Sequence, residues 1–322
     1  MRIGIVGGGS FGTALLSVYS AFYHCVVWDR DTELLDTLKT QKSNPKYLVN
    51  IVIRDEFEIA YKIGELGEAN IIFVAIPSQN LDEVGLDLLP KDVPLILTCK
   101  GFTREGWLTF EYLKSLGFLN VLALSGPNFA QDLGLRSPCA SILSGTDLET
   151  VFPIAKMLSN KFFRLYPSDD IKGVQLCGSL KNVYSIATGY AYGVGFGASS
   201  IFSILSRAVS ELARILRAFN CKEHTAFGLA GIGDLFMTGS SVQSRNFLFG
   251  KLLAENYSPE KALKAVAQTV EGYNSAFFAE SKILSRGLDL PLLEAVVEIV
   301  KGKFSKERIA GLLERPVKTE FP

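Results

Sequence analysis

Three glycines near the start of the chain have the spacing of a dinucleotide-binding loop. Gly7, Gly9 and Gly12 fit the pattern G-x-G-x-x-G, which follows a short apolar run and opens a predicted helix. Gly7 permits a tight turn, Gly9 lets the backbone approach a pyrophosphate, and Gly12 allows close packing of a helix on a strand. Ser10 and Phe11 begin the helix, whose unpaired N–H groups suit phosphates. The pattern therefore predicts a bound dinucleotide.

The residues that would select the dinucleotide stand at the end of the second predicted strand. Asp29 lies about 20 residues beyond the loop, the spacing of a carboxylate that accepts from a ribose 2′-hydroxyl, which favours NAD. Arg30 is adjacent and could pair with a 2′-phosphate, which favours NADP. The sequence leaves both cofactors, NAD and NADP, open.

Two lysines occupy positions that suit chemistry. Lys181 lies on a predicted helix whose other residues are largely apolar or small. Its ammonium either snorkels to the helix edge or stays buried with a lowered pKa. Lys100 follows a buried strand at its C-terminal end, where doubly wound sheets bind ligands, although exposed loop lysines are common. Both interpretations stay open for each lysine.

The first half of the chain alternates short apolar runs with helical segments. The predicted strands cover residues 2–6, 25–28, 71–76, 95–98 and 121–124. Apolar strands separated by helices, the first helix being predicted over 10–23, indicate parallel strands buried on both faces. Two further runs, 139–144 and 161–166, are either additional strands or the exit from the sheet.

Beyond Pro167 the periodicity becomes helical. Helices are predicted over residues 174–192, 200–219, 258–267, 273–285 and 292–301. The fold class is therefore predicted as α/β plus all-α. A Rossmann domain with a doubly wound parallel sheet covers residues 1–168, and a helical substrate-binding and catalytic domain covers residues 169–322.

Composition excludes several classes of protein. The 33 basic and 33 acidic residues balance, so no overall positive field favours nucleic acid, whereas a small phosphorylated metabolite needs only a few local cations. Five scattered cysteines and two histidines favour reduced thiols and predict no metal site. No run approaches the roughly 18 apolar residues of a membrane helix, and the N-terminus does not read as a signal peptide. We expect a soluble, cytoplasmic protein without membrane insertion.

Several segments, in order along nearly the whole chain, resemble the bacterial-type NAD(P)-dependent glycerol-3-phosphate dehydrogenases. They are residues 7–14, 99–102, 125–130, 180–183, 228–235, 244–246 and 270–272. The resemblance implies reversible hydride transfer between NAD(P)H and dihydroxyacetone phosphate to give sn-glycerol 3-phosphate. It also implies a homodimer and a role in supplying glycerol phosphate for phospholipid synthesis.

The implied reaction needs a general base that takes the hydroxyl proton as hydride leaves carbon, and that returns the proton in reverse. By resemblance Lys181 is this proton acceptor, and Asn182 beside it orients the substrate. Lys100 contacts cofactor and substrate and would lower the pKa of Lys181. Asp234 contacts the substrate hydroxyl region and helps to hold Lys181, and Thr238 follows four residues later.

The resemblance also implies where the substrate phosphate binds. Ser244, Arg245 and Asn246 would hold it, since arginine binds phosphate in a bidentate manner. Arg245 would contact the cofactor as well, as would Glu271.

A further segment follows the predicted strand 121–124. By resemblance Gly126 and Asn128 bind substrate and Ala130 binds cofactor. The family usually has serine where Asn128 stands, and asparagine can still donate a hydrogen bond. The loop 198–202 also departs from the family, because smaller or apolar residues replace its polar and basic ones.

Two other functions fit parts of the pattern. One is a related two-domain reductase that acts on a 2-hydroxy or keto acid, whose carboxylate would also bind Arg245. The other is a non-catalytic protein that senses NAD(H). The presence of both Lys100 and Lys181 argues against a sensor, which needs no base.

Overall fold

The computed structural model describes residues 1–303 and the single positions 311, 316 and 319. The chain forms two compact units. The first contains Met1–Gly178 and Phe227–Asp234, and the second contains Ser179–Ala226 and the described residues from Leu235 onward. The domain border predicted after residue 168 stays a prediction. The predicted second domain extends to residue 322, and its residues beyond 303, apart from positions 311, 316 and 319, lie outside the described residues.

The strands of the first unit are short and apolar. In chain order they are β1 (Arg2–Val6), β2 (His24–Trp28), β3 (Ser43–Asn44), β4 (Leu48–Val52), β5 (Glu58–Ala60), β6 (Ile71–Val74), β7 (Leu95–Leu97), β8 (Val121–Ser125), β9 (Cys139–Ser144) and β10 (Phe163–Ser168). β3 and β4 form an antiparallel hairpin, and the others form one sheet in the order β10-β9-β8-β7-β6-β1-β2-β5.

Pairing in the large sheet is parallel except between β8 and β9. The predicted doubly wound sheet is confirmed; of the two runs left open, 139–144 is strand β9 and 161–166 overlaps strand β10. The antiparallel pair was not predicted. Residues 126–138 between β8 and β9 contain one helix of five residues, whereas the connection between parallel strands is usually a longer crossover helix.

Apolar side chains cover both faces of the large sheet. Along β1, Ile3 and Ile5 pack into one cluster of the core and Val6 packs into the other. Because successive side chains of a strand point to opposite faces, a strand buried on both sides must be apolar throughout. This is the physical reason that the unbroken apolar runs predicted the sheet.

Five helices accompany these strands: α1 (Ser10–Tyr19), α2 (Thr32–Gln41), α3 (Thr109–Ser115), α4 (Ala130–Gly134) and α5 (Leu148–Leu158). The prediction that the first helix extends to residue 23 is wrong. The chain turns after Tyr19, and β2 begins at His24. The side chain of Asp31 accepts a hydrogen bond from the Leu34 N–H and so begins α2.

The remaining described helices are α6 (Ile171–Gly193), α7 (Ala198–Ala218), α8 (Asp234–Gly239), α9 (Arg245–Ala254), α10 (Pro259–Val266), α11 (Glu271–Lys282) and α12 (Pro291–Val300). Short 3₁₀ turns occur at Ile63–Glu68, Ser78–Asn80, Leu86–Leu88, Glu223–Phe227 and Leu284–Arg286. The predicted helical periods are confirmed, whereas α8 and α9 were missed.

Within the second unit, α6 and α9 touch through their backbones. A Cβ atom at Gly189 would lie 2.0 Å from the carbonyl oxygen of Phe247, and one at Gly250 would lie 2.1 Å from that of Ile186. Only glycine permits this approach. The crossing fixes the spacing of the two helices that carry most of the candidate residues of this unit.

No helix among the described residues has the length and apolar character needed to cross a membrane.

Candidate active site

The glycine loop joins β1 to α1 in the first unit. Gly7 has a φ of +105°, and a Cβ atom there would lie 2.6 Å from the carbonyl oxygen of Ala75. A Cβ atom at Gly12 would lie 1.8 Å from the carbonyl oxygen of Gly7. Any larger residue at this position would therefore prevent α1 from packing as closely against the loop as it does. At Gly9, by contrast, no described atom beyond the adjoining chain lies within 4 Å of the Cβ position. The loop is closely packed at two glycines and open at the third.

The start of α1 adjoins this open space. Gly9 is the N-cap residue, and no described side chain caps the helix. The Ser10 hydroxyl donates to the carbonyl oxygen of Tyr47 at 2.6 Å, and Phe11 packs partly buried against the core. The backbone N–H groups of the first turn are thus left for an anion. The residues present fit the pyrophosphate of a dinucleotide.

Asp29 and Arg30 are engaged within the first unit. The Asp29 carboxylate accepts from the Gly8 N–H at 2.6 Å and from the Asp31 N–H at 2.9 Å. Arg30 is exposed and pairs with Glu83 at 3.2 Å. Asp29 therefore supports the glycine loop in addition to any contact with a ribose. Their predicted contacts with the cofactor's 2′ group stay predictions.

Lys100 follows β7 and forms an ion pair with Asp234. Its Nζ atom lies 2.5 Å from Oδ2 of Asp234 and donates to the carbonyl oxygen of Gly126 at 3.0 Å. The Lys100 side chain is 16% exposed and that of Asp234 is fully buried. A buried carboxylate next to an ammonium group fixes the direction in which the lysine points. Three residues predicted for the site are thus brought together.

A π-helical turn leads the chain to Asp234. It covers Leu229–Gly233 and is rich in glycine, and α8 begins directly after it. Such turns are rare and occur often at functional sites. No helix was predicted over residues 229–233, and the structure has a π-helical turn there.

Asn128 uses its side chain within the strand-end segment. Its Nδ2 donates to the carbonyl oxygens of Pro127 at 2.9 Å and Ala140 at 3.2 Å, and its Oδ1 accepts from the Ser141 hydroxyl. Both amide hydrogens are therefore occupied by backbone. The predicted substrate contact of Asn128 stays a prediction, and so does the cofactor contact of Ala130, which begins α4.

Lys181 lies on α6 in the second unit. Only 6% of this residue is exposed, and its Nζ donates to Oγ1 of Thr238 at 2.8 Å. A lysine that reaches solvent along a helix edge would be far more exposed. Of the two interpretations left open by the sequence, the structure favours the buried ammonium group. It also gives Thr238 a defined partner.

Asn182, the next residue on α6, joins a polar chain of the second unit. Its Nδ2 donates to Oε2 of Glu271 at 3.1 Å, and its Oδ1 accepts from Nδ2 of Asn246 at 2.9 Å. The Oδ1 of Asn246 accepts from the Gly272 N–H at 2.9 Å. Three predicted residues, which lie far apart in the sequence, therefore orient one another.

The predicted phosphate-binding segment begins α9. The Ser244 hydroxyl accepts from the Phe247 N–H as the N-cap of this helix, and Arg245 is its exposed first residue. A cation at a helix N-terminus adds to the positive end of the helix dipole. The segment suits an anion, although the Ser244 hydroxyl oxygen already accepts a hydrogen bond from the helix backbone.

Sequence reasoning did not identify two residues that contact the glycine loop. Thr13 and Asn44 are fully buried, and both donate to the carbonyl oxygen of Gly8. Asn44 lies 36 residues from its partner, so no local pattern signals the contact. Among the described residues, no group of three or more His, Cys, Asp or Glu side chains could hold a metal ion.

Comparisons with known proteins cover the whole chain. A family model described as the N-terminus of NAD-dependent glycerol-3-phosphate dehydrogenase matches residues 2–151, and one described as its C-terminus matches residues 170–310. A glycerol-3-phosphate dehydrogenase [NAD(P)+] from Zymomonas mobilis is 35% identical over 99% of this chain and 95% of its own length. One from Mesorhizobium japonicum is 36% identical over 99% of this chain and 94% of its own length.

Among solved structures, a glycerol-3-phosphate dehydrogenase from Coxiella burnetii is similar over 98% of this chain and 99% of its own. The TM-score is 0.90 at 27% sequence identity.

Proposed function

The chain belongs to the NAD-dependent glycerol-3-phosphate dehydrogenase family, and we propose that it interconverts dihydroxyacetone phosphate and sn-glycerol 3-phosphate. It is an oxidoreductase with NAD(P) as its cofactor and a phosphorylated substrate. The direction of the reaction and the roles of individual residues are part of the proposal.

The observation that carries the proposal is the burial of Lys181. Burial of the Lys181 ammonium group on an apolar helix costs free energy of folding. A lysine kept in such a position is therefore a candidate for a role in the reaction. The hydrogen bond to Thr238 fixes its position. A buried lysine is also the kind of side chain that can exchange a proton near neutral pH.

The proposed chemistry balances one hydride and one proton. When bound, the nicotinamide supplies the hydride for the carbonyl carbon of dihydroxyacetone phosphate, and it accepts the hydride back in the oxidation. Lys181 gives a proton to the oxygen of that carbonyl during reduction. In the oxidation, the neutral amine of Lys181 takes the hydroxyl proton from carbon 2 of glycerol 3-phosphate.

Lys100 and Asp234 would act together as an ion pair. The buried Asp234 carboxylate holds the Lys100 ammonium, which the Gly126 carbonyl oxygen also orients. We propose that this ammonium binds an oxygen of the substrate. A held ammonium group does so with less loss of side-chain entropy than a flexible one.

We assign the substrate phosphate to the start of α9. Arg245 supplies a planar donor set for phosphate oxygens, and Asn246 stands beside it in the chain that links Asn182 and Glu271. The dinucleotide pyrophosphate is assigned to the open space at Gly9 and to the N–H groups at the start of α1.

A spectrophotometric assay tests the proposal. Oxidation of NADH is followed with dihydroxyacetone phosphate and, separately, with ketopantoate, and the first substrate is repeated with NADPH. We expect turnover with dihydroxyacetone phosphate. Turnover only with ketopantoate would make the protein a keto acid reductase, and binding of NADH without turnover of either substrate would make it a sensor.

We further propose that the enzyme is a cytoplasmic homodimer that supplies glycerol phosphate for phospholipid synthesis. Light scattering of the purified protein measures its molar mass in solution, and fractionation of the cell measures where it resides. A monomer, or recovery outside the cytoplasmic fraction, would contradict the corresponding part of this proposal.

A further inference from the structure

Gly8, in the middle of the glycine loop, has both of its backbone polar groups held by side chains. Its N–H donates to Oδ2 of Asp29 at 2.6 Å. Its carbonyl oxygen accepts from Nδ2 of Asn44 at 2.7 Å and from Oγ1 of Thr13 at 2.9 Å. Glycine is the residue with the greatest backbone freedom, so a loop of three consecutive glycines needs external contacts to adopt one conformation.

Asn44 is the centre of these contacts. Its second amide hydrogen is donated to Oγ1 of Thr13 at 2.8 Å, and its Oδ1 accepts from the Tyr47 N–H at 3.0 Å. The side chain is fully buried. Two donors and one acceptor on a short side chain are all in use, a combination that aspartate, serine and alanine cannot supply.

The turn that carries Asn44 is itself firmly placed. Asn44 ends β3, and Leu48 begins β4 only four residues later. Leu48 and Ile51 of β4 are buried in the same core cluster as residues of α1. The amide therefore approaches the glycine loop from an element anchored by apolar packing.

The turn also reaches the first residue of α1. The Ser10 hydroxyl donates to the carbonyl oxygen of Tyr47, so the segment from Asn44 to Tyr47 is bonded to the loop at two places. Between these two places lies Gly9, where the Cβ position is open. The hydrogen bonds frame the stretch of backbone that we assign to the pyrophosphate.

We propose that Asn44 is a positioning residue of the dinucleotide site. It orients the peptide that joins Gly8 to Gly9 so that the Gly8 carbonyl oxygen points toward the Asn44 amide. It also fixes the turn whose Tyr47 carbonyl accepts from Ser10 at the start of α1, before the cofactor arrives. A reversed Gly8 peptide would turn that carbonyl oxygen away from its donors, and an oxygen dipole directed at a phosphate repels it. The inference rests on the proposed function, because it concerns the site at which the cofactor binds.

A role in cofactor binding differs from a role in stability alone. If Asn44 preorganises the loop, its loss raises the cost of ordering the loop on binding, and affinity for the dinucleotide falls. Once the cofactor is saturating, the reacting groups are unchanged, so kcat and the KM for the second substrate stay close to wild type. If Asn44 only stabilises the fold, the unfolding midpoint falls and cofactor affinity does not.

The chain offers a matched control in Asn160. This asparagine also makes three side-chain hydrogen bonds in a turn of the first unit, donating to the carbonyl oxygen of Leu158 and accepting from the N–H groups of Phe162 and Phe163. Its turn precedes β10, away from the glycine loop in the sheet order. Asn160→Ala removes the same number of hydrogen bonds as Asn44→Ala.

The experiment measures the Kd for NADH by fluorescence titration, the Kd for ADP-ribose by calorimetry, and the steady-state constants at saturating NADH. For Asn44→Ala we expect both Kd values to rise by about tenfold or more, as for the loss of hydrogen bonds that preorganise a site. We expect kcat and the KM for dihydroxyacetone phosphate to stay within about threefold of wild type. Asn160→Ala should lower the unfolding midpoint and leave both Kd values unchanged.

Thr13→Val covers the case in which Asn44→Ala does not fold. It removes one donor to Gly8 and one acceptor of Asn44, and it keeps the shape of the side chain. We expect a smaller rise in the Kd for NADH, in the same direction. Wild-type affinity in the folded variants, or an equal loss of affinity in Asn160→Ala, would overturn the inference. If wild-type protein binds NADH and does not reduce dihydroxyacetone phosphate, the proposed substrate fails while the Asn44 comparison still stands.

Discussion

The Nζ atom of Lys100 lies 2.5 Å from Oδ2 of Asp234, and Asp234 is fully buried. The two residues are 134 positions apart in the sequence and belong to the same compact unit. Loss of the cation beside a buried carboxylate is strongly destabilising, so the two groups depend on each other. Lys100 is therefore held in place by a group that solvent cannot screen.

Replacement of Asp234 by asparagine separates the orientation of Lys100 from folding. Asp234→Asn keeps the shape and an acceptor oxygen but removes the charge, and we expect kcat/KM to fall by about a hundredfold as the ammonium loses its fixed direction. Asp234→Ala should also reduce the free energy of unfolding by about 3 kcal/mol, since it leaves a buried lysine without its carboxylate.

The control for the Asp234 pair is Glu58→Gln. Glu58 pairs with Arg2 at 3.2 Å, and its side chain is 53% exposed, so its loss should change neither quantity appreciably. Wild-type kcat/KM in Asp234→Asn would contradict the role assigned to the pair.

Removal of the Lys181 ammonium should abolish turnover. Lys181→Met keeps an unbranched side chain of similar length in the buried position, and Lys181→Ala removes it. For both we expect kcat to fall by about a thousandfold, the range for loss of a general acid–base group, while the Kd for NADH stays close to wild type. Stopped-flow absorbance and fluorescence titration measure the two quantities. Turnover near the wild-type rate in either variant would remove the base assignment.

Two single-methyl substitutions in the glycine loop should act at different levels, one on cofactor binding and the other on folding. Gly9 has a φ of −66° and open space at its Cβ position, so Gly9→Ala should fold with a loss of roughly 1 kcal/mol or less. The added methyl group would occupy the space assigned to the pyrophosphate, and we expect the Kd for NADH to rise by about tenfold or more.

Gly12→Ala should instead fail at the level of folding, because the added Cβ would lie 1.8 Å from the carbonyl oxygen of Gly7. Thermal unfolding and NADH titration distinguish the two variants. Equal affinity for NADH in Gly9→Ala and wild type would show that the open space is not where the cofactor binds.

Glu211 makes the stability of the second unit depend on pH. Its buried carboxylate accepts from the N–H groups of Leu292 and Leu293 at the start of α12 and from the Tyr184 hydroxyl. Burial outweighs these bonds and raises the pKa of Glu211 to about 7 from its ordinary value of 4.5. The folded protein thus holds this proton more tightly than the unfolded chain, so stability from this group is full below pH 4.5 and is lost as pH rises to about 7.

Glu211→Gln should remove that pH dependence. Relative to wild type, we expect the variant to gain on the order of 3 kcal/mol in free energy of unfolding between about pH 4.5 and pH 8, as measured by urea denaturation. The ion pair with Arg217 lowers the pKa of Glu223, so the stability from that group is lost only as pH falls below about 4.5, and Glu223→Gln should leave the change between pH 4.5 and pH 8 as in wild type. A difference between wild type and Glu211→Gln that does not change with pH would contradict the prediction.

The sequence predicted those features that depend on local pattern. Apolar runs buried on both faces of a sheet and glycines at fixed spacing are short-range signals, and strands such as β1 and the loop at Gly7 followed from them. The direction of β9 did not, because pairing direction depends on how the chain returns. Helix α9 was missed although Ser244 is a typical N-cap residue, since residues 244–246 were interpreted only as phosphate-binding residues.

The contacts within the candidate site could not be predicted from local sequence patterns, because they join residues far apart in the chain. Asn182 meets Glu271 across 89 residues of sequence and meets Asn246 across 64. Resemblance to a family placed these residues in one site, whereas the structure shows which atom of each contacts the other. Neither the local pattern nor the resemblance predicted the contact of Asn44 with the glycine loop. Asparagine is common in turns for reasons of local backbone conformation, so its presence there did not suggest a distant partner.

The glycine crossing of α6 and α9 has a mechanical consequence for the proposed reaction. Lys181 and Asn182 stand on one of these helices and Arg245 and Asn246 on the other, and at Gly189 and Gly250 main chain rests on main chain. The distance between the proposed proton-exchanging group and the proposed phosphate-binding residues is therefore set by contact between two backbones rather than by flexible side chains. Thermal motion of the surrounding core can therefore increase while the spacing of α6 and α9 at these glycines stays the same.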